Sequence, residues 1–178
     1  MIFRSLRDYL VAEHGRAAAA AVFASEPEYL ISTAYPDEDL RWLVDVAATH
    51  TRRDPDEILF GLGVFTGETT FPRLYPAFFA AAPSAGAFLL EVEGRIHELV
   101  RETIPGAEPP PLAIAPLGEE GVSVRYDSPR RLCVFLRGVA EGTASYYGQH
   151  ADLDEPTCML RGDEACRVEI RLSDGRLL

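Results

Sequence analysis

A histidine in the segment GRIHELV, residues 94–100, is the first side chain of this sequence that could bind a ligand. At helical spacing His97 shares a face with the apolar residues Val100 and Ile104, and Gly94 precedes it by about one turn. A ring on such a face is often a buried histidine with one hydrogen bond, but neutral imidazole is also the commonest metal ligand. We therefore keep two interpretations of His97: a structural histidine, or a ligand beside which Gly94 leaves space for a flat group.

A phenol, a hydroxyl and a guanidinium follow at alternate positions in YDSPR, residues 126–130. In an extended segment Tyr126, Ser128 and Arg130 point to the same side. A guanidinium binds a carboxylate through two hydrogen bonds, and two hydroxyl donors complete such a site. The set predicts a site for a carboxylate-bearing ligand. The alternative is a strand end, with Ser128 as a helix cap and Arg130 on the surface.

Three cysteines, Cys133, Cys158 and Cys166, form the third set. An odd number argues against a framework of disulfides, and thiolates are preferred ligands of zinc. Cys158 and Cys166 flank an RGD turn, so a tight hairpin would place them opposite each other. The open interpretations are a zinc site, a redox-sensing thiol cluster, small buried side chains, and a disulfide between Cys158 and Cys166.

Length and charge limit what these residues can belong to. The 178 residues suit one domain, and a formal net charge of −11 argues against nucleic acid as a partner. The sequence contains no run of eighteen apolar residues, so it predicts no membrane span. The first fifteen residues predict an amphipathic helix and not a signal peptide, so we expect a cytoplasmic protein.

Helical spacing dominates the chain up to about residue 104. Asp54, Pro55 and Glu57 are typical of a capping box at the start of one helix. Ser84 is expected to cap one long helix over residues 85–104, which would carry His97. The segment FPRLYPAFFAAAP between them predicts short helical pieces, because prolines interrupt it.

Alternating apolar residues replace helical spacing after the stiff loop PGAEPPPLA. LAIAP and GVSVRY are predicted strands joined by the turn LGEEG. A further helix is expected to begin near Ser128 and Pro129, and the tail TCMLRGDEACRVEIRL predicts two strands around RGD. The fold class is therefore α+β, with an N-terminal helical subdomain packed on a C-terminal, mostly antiparallel sheet with helices.

The order of these motifs resembles one known family. His97 is followed by the Pro-Gly pair 105–106, by consecutive prolines and by Y-x-S-x-R, while HG and DPDEILFGLG precede it. This pattern is similar to the H-NOX domains, the haem nitric oxide/oxygen binding family that includes the sensor domain of soluble guanylate cyclase. The resemblance covers essentially the whole chain and implies a single H-NOX domain, residues 1–178, of the stand-alone bacterial type.

The resemblance implies a role for each motif. His97 matches the proximal ligand of haem iron, and Tyr126, Ser128 and Arg130 match a triad that binds the propionates. Pro110 matches a proline that presses on the macrocycle. The implied cofactor is haem b, buried between the helical subdomain and the sheet.

Gas selectivity is expected to depend on the side chains opposite His97. Relatives that hold oxygen have a tyrosine where this chain has Phe135, which cannot donate a hydrogen bond and could equally be a core residue. The other matching pocket positions are Ile2, Leu6, Thr66, Gly67 and Val139. Only Thr66 is polar, and its hydroxyl can bond a helix carbonyl. We expect binding of nitric oxide and carbon monoxide without stable oxygen binding.

The resemblance also implies how a signal leaves the domain. Nitric oxide would release His97 from the iron, and the chain would act on a partner such as a histidine kinase or a cyclic-dinucleotide enzyme, without being an enzyme itself. A subset of the family binds zinc through four cysteines, three of which match Cys133, Cys158 and Cys166. The fourth falls near Glu155, and Glu155, Asp154 or His150 could replace it.

Two functions from other classes remain as alternatives. A zinc/thiol redox module would use the three cysteines and leave His97 structural. A binding domain for an apolar ligand would use Arg130 to hold a carboxylate. Both would be colourless, whereas a haem protein has a Soret band.

Overall fold

The N-terminal part of the chain is helical. The structure, a computed structural model, describes residues 1–24, 29, 35–118 and 121–175. In the described residues before the segment of His97, five helical segments and a π-helical turn, π1, follow one another; they are α1 (Ile2–Val22), α2 (Asp37–Thr51), α3 (Pro55–Phe65), π1 (Thr66–Thr70), α4 (Phe71–Leu74) and α5 (Pro76–Ala81). The segment of His97 comprises α6 (Ala85–Leu90), a second π-helical turn π2 (Val92–His97), and α7 (Glu98–Thr103).

The C-terminal part is a four-stranded antiparallel sheet with one long helix. Its elements are β1 (Leu112–Leu117), β2 (Gly121–Tyr126), α8 (Cys133–Tyr146), β3 (Gln149–Thr157), a 3₁₀ turn (Met159–Arg161) and β4 (Cys166–Asp174). The strand order is β1-β2-β4-β3. This confirms the α+β prediction. Part of the predicted turn LGEEG, residues 119 and 120, lies outside the described residues. No helix in the described ranges is both long and apolar enough to cross a membrane.

Local capping explains where α3 begins. The Asp54 carboxylate accepts a hydrogen bond from the Asp56 amide at 2.8 Å, and Glu57 accepts one from the Asp54 amide at 3.2 Å. Pro55 occupies the first helical position, where no amide donor is needed. The predicted capping box is therefore confirmed.

Among the described residues, the two largest apolar clusters correspond to the two parts of the chain. The helical core contains side chains that are fully buried between α1, α2 and α3, including Leu6, Leu10, Leu43, Ile58 and Leu62. The sheet core packs α6 and α8 on β2 and β4, and it includes Val122, Val124, Ala140, Val168 and Ile170. The helical part thus packs on the C-terminal sheet through α8.

Four glycines allow this packing. Gly63 and Gly67 in α3 and π1 face Gly138 and Gly142 in α8. A methyl group at any of the four would lie closer than 3.0 Å to backbone atoms of the opposite helix. The two helices can therefore approach only where both lack side chains, and this contact fixes the position of α8.

The long helix expected over residues 85–104 is interrupted. Ser84 caps α6 as predicted, because its hydroxyl accepts a hydrogen bond from the Ala87 amide at 3.2 Å. Helix α6 ends at Leu90, however, and π2 accommodates an extra residue per turn before α7 continues. Apolar spacing alone does not reveal this change in winding.

Helix α8 begins later than predicted. Ser128 does not cap it, since the helix starts at Cys133 without a side-chain cap. Arg131 has a φ of 52°, and its amide donates to the Ser128 carbonyl at 3.0 Å. A turn therefore separates β2 from α8, because a left-handed residue cannot continue a right-handed helix.

The tail also differs from the prediction. The first of its two strands, β3, covers residues 149–157 and ends before the RGD segment. Residues 158–165 form a longer connection that contains the 3₁₀ turn, so the tight hairpin was wrong. Cys158 and Cys166 nevertheless stand at the two ends of this connection.

Candidate functional site

A cavity of about 550 Å³ lies between the N-terminal helices, the π2–α7 segment and the sheet. This volume is in the usual range for a cofactor or small-molecule site. Most of the predicted pocket residues line it, namely Ile2, Thr66, His97, Pro110, Tyr126, Arg130, Phe135 and Val139. Leu6 does not, because it is fully buried in the helical core, and Gly67 instead packs against α8.

The His97 ring is fixed by one strong contact. Its Nδ1 lies 2.8 Å from a carboxylate oxygen of Glu93, one turn earlier in π2. Burial lowers the pKa of His97, and the hydrogen bond to Glu93 acts in the opposite direction. No described residue hydrogen-bonds Nε2, so a neutral ring can present this nitrogen to a ligand in the cavity.

The space that the sequence predicts beside Gly94 is not part of the cavity. Gly94 is exposed and does not line the cavity. A methyl group at this position would meet no atom within 4 Å. The widened π2 turn rotates Gly94 away from the cavity, so the idea that Gly94 leaves room for a flat group was wrong.

Tyr126 and Arg130 reach the cavity from the end of β2 and the following turn. Tyr126 is buried, and its hydroxyl accepts a hydrogen bond from the Leu132 amide at 3.1 Å. Burial raises its pKa. Ser128 is buried outside the cavity lining, and its hydroxyl accepts a hydrogen bond from the Arg130 amide at 3.4 Å. Ser128 and Arg130 therefore belong to a turn and do not occupy alternate positions of a strand with Tyr126.

Arg130 already has a partner. Its Nε donates to a carboxylate oxygen of Asp37 at 2.8 Å, at the first residue of α2. Arg41 of the same helix donates to the carbonyls of Pro129 and Arg130. These bonds tie α2 to the turn that holds Arg130, so Arg130 is not a free surface arginine.

The side chains of Ile2, Phe135 and Val139 give one part of the cavity an apolar lining. The Thr66 hydroxyl lies 2.7 Å from the Ser5 hydroxyl, which in turn lies 2.8 Å from that of Thr70. The expected bond from Thr66 to a helix carbonyl is therefore replaced by a chain of three hydroxyls. Thr66 retains one further hydrogen-bonding position, because a hydroxyl can both donate and accept.

Sequence reasoning missed a second hydroxyl, that of Tyr75, which also lines the cavity. It contacts the Met1 sulfur at 3.8 Å, and burial raises its pKa. Thr66 is thus not alone among polar side chains in this region. The missed signal is the Tyr-Pro pair between α4 and α5, where the chain turns and directs an aromatic residue inward.

The three cysteines form a second cluster. The sulfur atoms of Cys133, Cys158 and Cys166 and a carboxylate oxygen of Glu155 all lie within 4.8 Å of one another. Cys158 Sγ is 3.7 Å from Cys133 Sγ and 4.0 Å from Cys166 Sγ, and all three thiols are free. Burial raises the pKa of Cys133 and of Cys166, which favours neutral thiols while no cation is bound.

Glu155 is the candidate fourth ligand that reaches this cluster. Its side chain is 9% exposed and lies 3.3 Å from Arg161 and 3.9 Å from Arg137. Its Oε1 is buried without a hydrogen-bond partner among the described residues. Asp154 and His150 are exposed and do not belong to the cluster.

Comparisons with known proteins agree with the fold. A family model described as "Haem-NO-binding" matches residues 1–155. The structure is similar to that of an H-NOX protein from S. oneidensis in the Fe(II)NO ligation state, with a TM-score of 0.87, 22% identity and coverage of 97% of this chain and 98% of that chain. Unliganded Fe(II) H-NOX from K. algicida gives a TM-score of 0.83, 18% identity and coverage of 99% and 97%.

An oxygen-binding H-NOX domain related to soluble guanylate cyclases, in its oxygen complex, has a similar fold as well. It gives a TM-score of 0.82, 21% identity and coverage of 97% of this chain and 94% of that chain. Identities at this level establish the fold alone. No curated protein sequence matches the chain.

Proposed function

The chain belongs to the haem-NO-binding family, the H-NOX domains, and we propose that it is a sensor that binds nitric oxide and carbon monoxide at ferrous haem b without holding oxygen stably. The observation that carries this proposal is the orientation of His97, which lines the cavity with Nδ1 engaged by Glu93. Strand β4 lies beyond the matched residues and between β2 and β3, which supports a single domain over residues 1–178.

The residues around the cavity fit haem. The group is flat and apolar, carries two carboxylates and needs an axial imidazole, and when bound it supplies an iron atom that coordinates a diatomic gas. His97 would hold the iron, and Arg130 with Tyr126 would bind the propionates while Ser128 supports the turn. Pro110 lines the cavity, where it would press on the macrocycle.

The rival assignment, an apolar ligand with a carboxylate, would use the same cavity and the same arginine. A test of haem binding distinguishes these two assignments. We expect the purified or haem-supplied protein to show a Soret band that His97→Ala strongly perturbs. The control, His50→Ala, removes an exposed histidine of α2 and should change nothing. A colourless protein after haem is supplied would contradict the proposal.

Selectivity against oxygen rests on Phe135, Ile2 and Val139, which cannot donate hydrogen bonds. Among the hydroxyls of the cavity lining, that of Thr66 is shared with Ser5 and that of Tyr75 contacts the Met1 sulfur. Thr66 keeps one further hydrogen-bonding position, but Phe135 puts no donor where a tyrosine would stand, and nitric oxide and carbon monoxide need none.

Signalling is proposed to follow the release of His97. Once His97 is free, π2 and α7 can shift against the N-terminal helices, which is a two-state change biased by a ligand. A partner protein, such as a histidine kinase or a cyclic-dinucleotide enzyme, would read this shift. The test is His97→Gly supplied with imidazole, in which the tether is already cut. If nitric oxide still causes the same structural change, release of His97 is not the trigger.

We also propose a zinc site at Cys133, Cys158, Cys166 and Glu155. Zinc prefers four ligands in a tetrahedron, and here three buried thiols and the partly buried Glu155 carboxylate lie close together. The unpartnered Glu155 Oε1 supports this, since a buried carboxylate oxygen without a partner is costly. The site would join α8 to the β3–β4 connection. The same thiols could alternatively respond to oxidants without a metal.

A further inference from the structure

The carboxylate of Glu93 links His97 to two other parts of the fold. Its Oε2 accepts hydrogen bonds from His97 Nδ1 at 2.8 Å and from the Leu112 amide at 3.1 Å. Its Oε1 pairs with Arg101 of α7. The carboxylate is thus fixed by the first residue of β1 and by α7 independently of the ring that it touches.

The position of Glu93 in the π2 turn places its carboxylate beside the His97 ring. Glu93 precedes His97 by four residues inside the π2 turn, and its side chain is 31% exposed against 15% for His97. Both carboxylate oxygens of Glu93 face other donors, because Oε1 accepts from Arg101 and Oε2 accepts from the Leu112 amide. With donors on both oxygens, Glu93 is placed to accept a hydrogen bond from Nδ1 and not to donate one.

This acceptor role determines which ring nitrogen of His97 carries the proton. A carboxylate without a proton cannot donate, so neutral His97 must have its hydrogen on Nδ1 and its lone pair on Nε2. Carboxylates that accept from the second nitrogen of a metal-binding histidine fix the ring and make the ligating nitrogen more basic.

We propose that Glu93 tunes the bond between His97 and the haem iron, so that it sets how firmly the chain holds the cofactor and how readily His97 is released. This rests on the function proposed above. Glu93 is a positioning residue, because it touches the ligating ring and not the cofactor. Loss of its charge should leave His97 a weaker donor to iron.

A merely structural role is the alternative, in which Glu93 only stabilises the helix. The same segment contains a matched control for that role. Glu91 and Arg95 form an exposed i,i+4 pair at 3.6 Å that contacts neither His97 nor β1. Removing this pair should change helix stability only slightly, as is usual for exposed pairs, and should leave the iron bond unchanged.

Resonance Raman spectroscopy of the ferrous protein measures the iron–histidine stretch directly. We expect Glu93→Gln to move this stretch to lower frequency and to shift the reduction potential to more positive values, while Glu91→Gln changes neither. Haem transfer to a scavenger protein should show that retention falls roughly 10–100-fold, the usual cost of losing such a partner. An unchanged stretch in folded Glu93→Gln would overturn the proposal.

A second comparison does not depend on the folding of that variant. In His97→Gly with Glu93 intact, imidazole can donate a hydrogen bond to the carboxylate but 1-methylimidazole cannot. After correction for the mass of the methyl group, the iron–ligand stretch should therefore be higher with imidazole than with 1-methylimidazole. Equal stretches would overturn the tuning role alone, whereas a wild-type protein without a Soret band would overturn the haem assignment as well.

Discussion

Arg130 reaches the cavity from the turn after β2, and its guanidinium is already shared with Asp37. A propionate would gain a charged hydrogen bond there and would compete with, or join, the Asp37 carboxylate. We predict that Arg130→Ala weakens haem binding by about 1.5–3 kcal/mol, the usual worth of a hydrogen bond to a charged group. Haem transfer rates measure this change.

A matched arginine is available for comparison. Arg125 lies in β2 with an exposed side chain paired to Asp127 at 3.4 Å. Arg125→Ala should leave haem transfer unchanged. Equal effects of both replacements would show that Arg130 acts through general charge and not through a propionate.

The proposed selectivity against oxygen depends on Phe135. Phe135→Tyr adds a hydroxyl donor to the cavity, and a hydrogen bond to a polarised ligand is worth about 1.5–3 kcal/mol. We therefore expect this variant to form an oxygen complex that dissociates roughly 10–150-fold more slowly than that of the wild type. Stopped-flow absorbance measures the rate. Phe65→Tyr, which adds a hydroxyl outside the cavity, should have no such effect.

At the scale of elements, the contact between α3, π1 and α8 positions Phe135 and Val139 against Thr66. Gly142→Ala would force a methyl group into the Val64 backbone, so we predict a loss of about 1–3 kcal/mol in the free energy of unfolding. Chemical denaturation measures it. Gly94→Ala faces open space and should be neutral or slightly stabilising, because alanine favours helices over glycine. If both variants lost the same free energy of unfolding, the close approach of the two helices would not explain the effect of Gly142→Ala.

Several elements could be predicted from sequence because their signals are local. The Asp54 capping box, the Ser84 cap and the alternation in β1 and β2 depend on residues within a few positions of each other. The π2 turn could not be predicted, since one extra residue in a helix leaves the apolar pattern nearly unchanged. The start of α8 was misplaced because Ser128 is used in a turn that only the contact with α2 explains.

The candidate site shows the same division. His97, Tyr126 and Arg130 were found from motif order, and the structure brings all three to one cavity. Asp37 and Tyr75 were missed, because they meet Arg130 and Met1 across large sequence separations. Glu93 lies only four residues before His97 and was detectable from spacing, but its bond to the Leu112 amide depends on how β1 packs.

The molecule as a whole consists of a helical part and a sheet part, and the cysteine cluster ties the second together. We predict that the protein binds one equivalent of zinc, measured by elemental analysis, and that chelation lowers its Tm. Glu155→Gln should weaken zinc retention, while Asp154→Asn, an exposed neighbour, should not. The zinc proposal would be contradicted if the protein contained no zinc after expression with the metal and if chelators did not change its Tm. The cluster would then be a set of buried thiols.

Haem would lie where these two parts meet, so the absorption spectrum of the reduced protein tests the central claim most directly. It is measured without gas, in air and with nitric oxide. The account predicts a five-coordinate ferrous spectrum that air changes only by slow oxidation and that nitric oxide shifts at once. A stable oxygen spectrum would contradict the proposed selectivity and would point to the hydroxyls of Thr66 and Tyr75. Absence of a Soret band after haem is supplied would contradict the sensor itself.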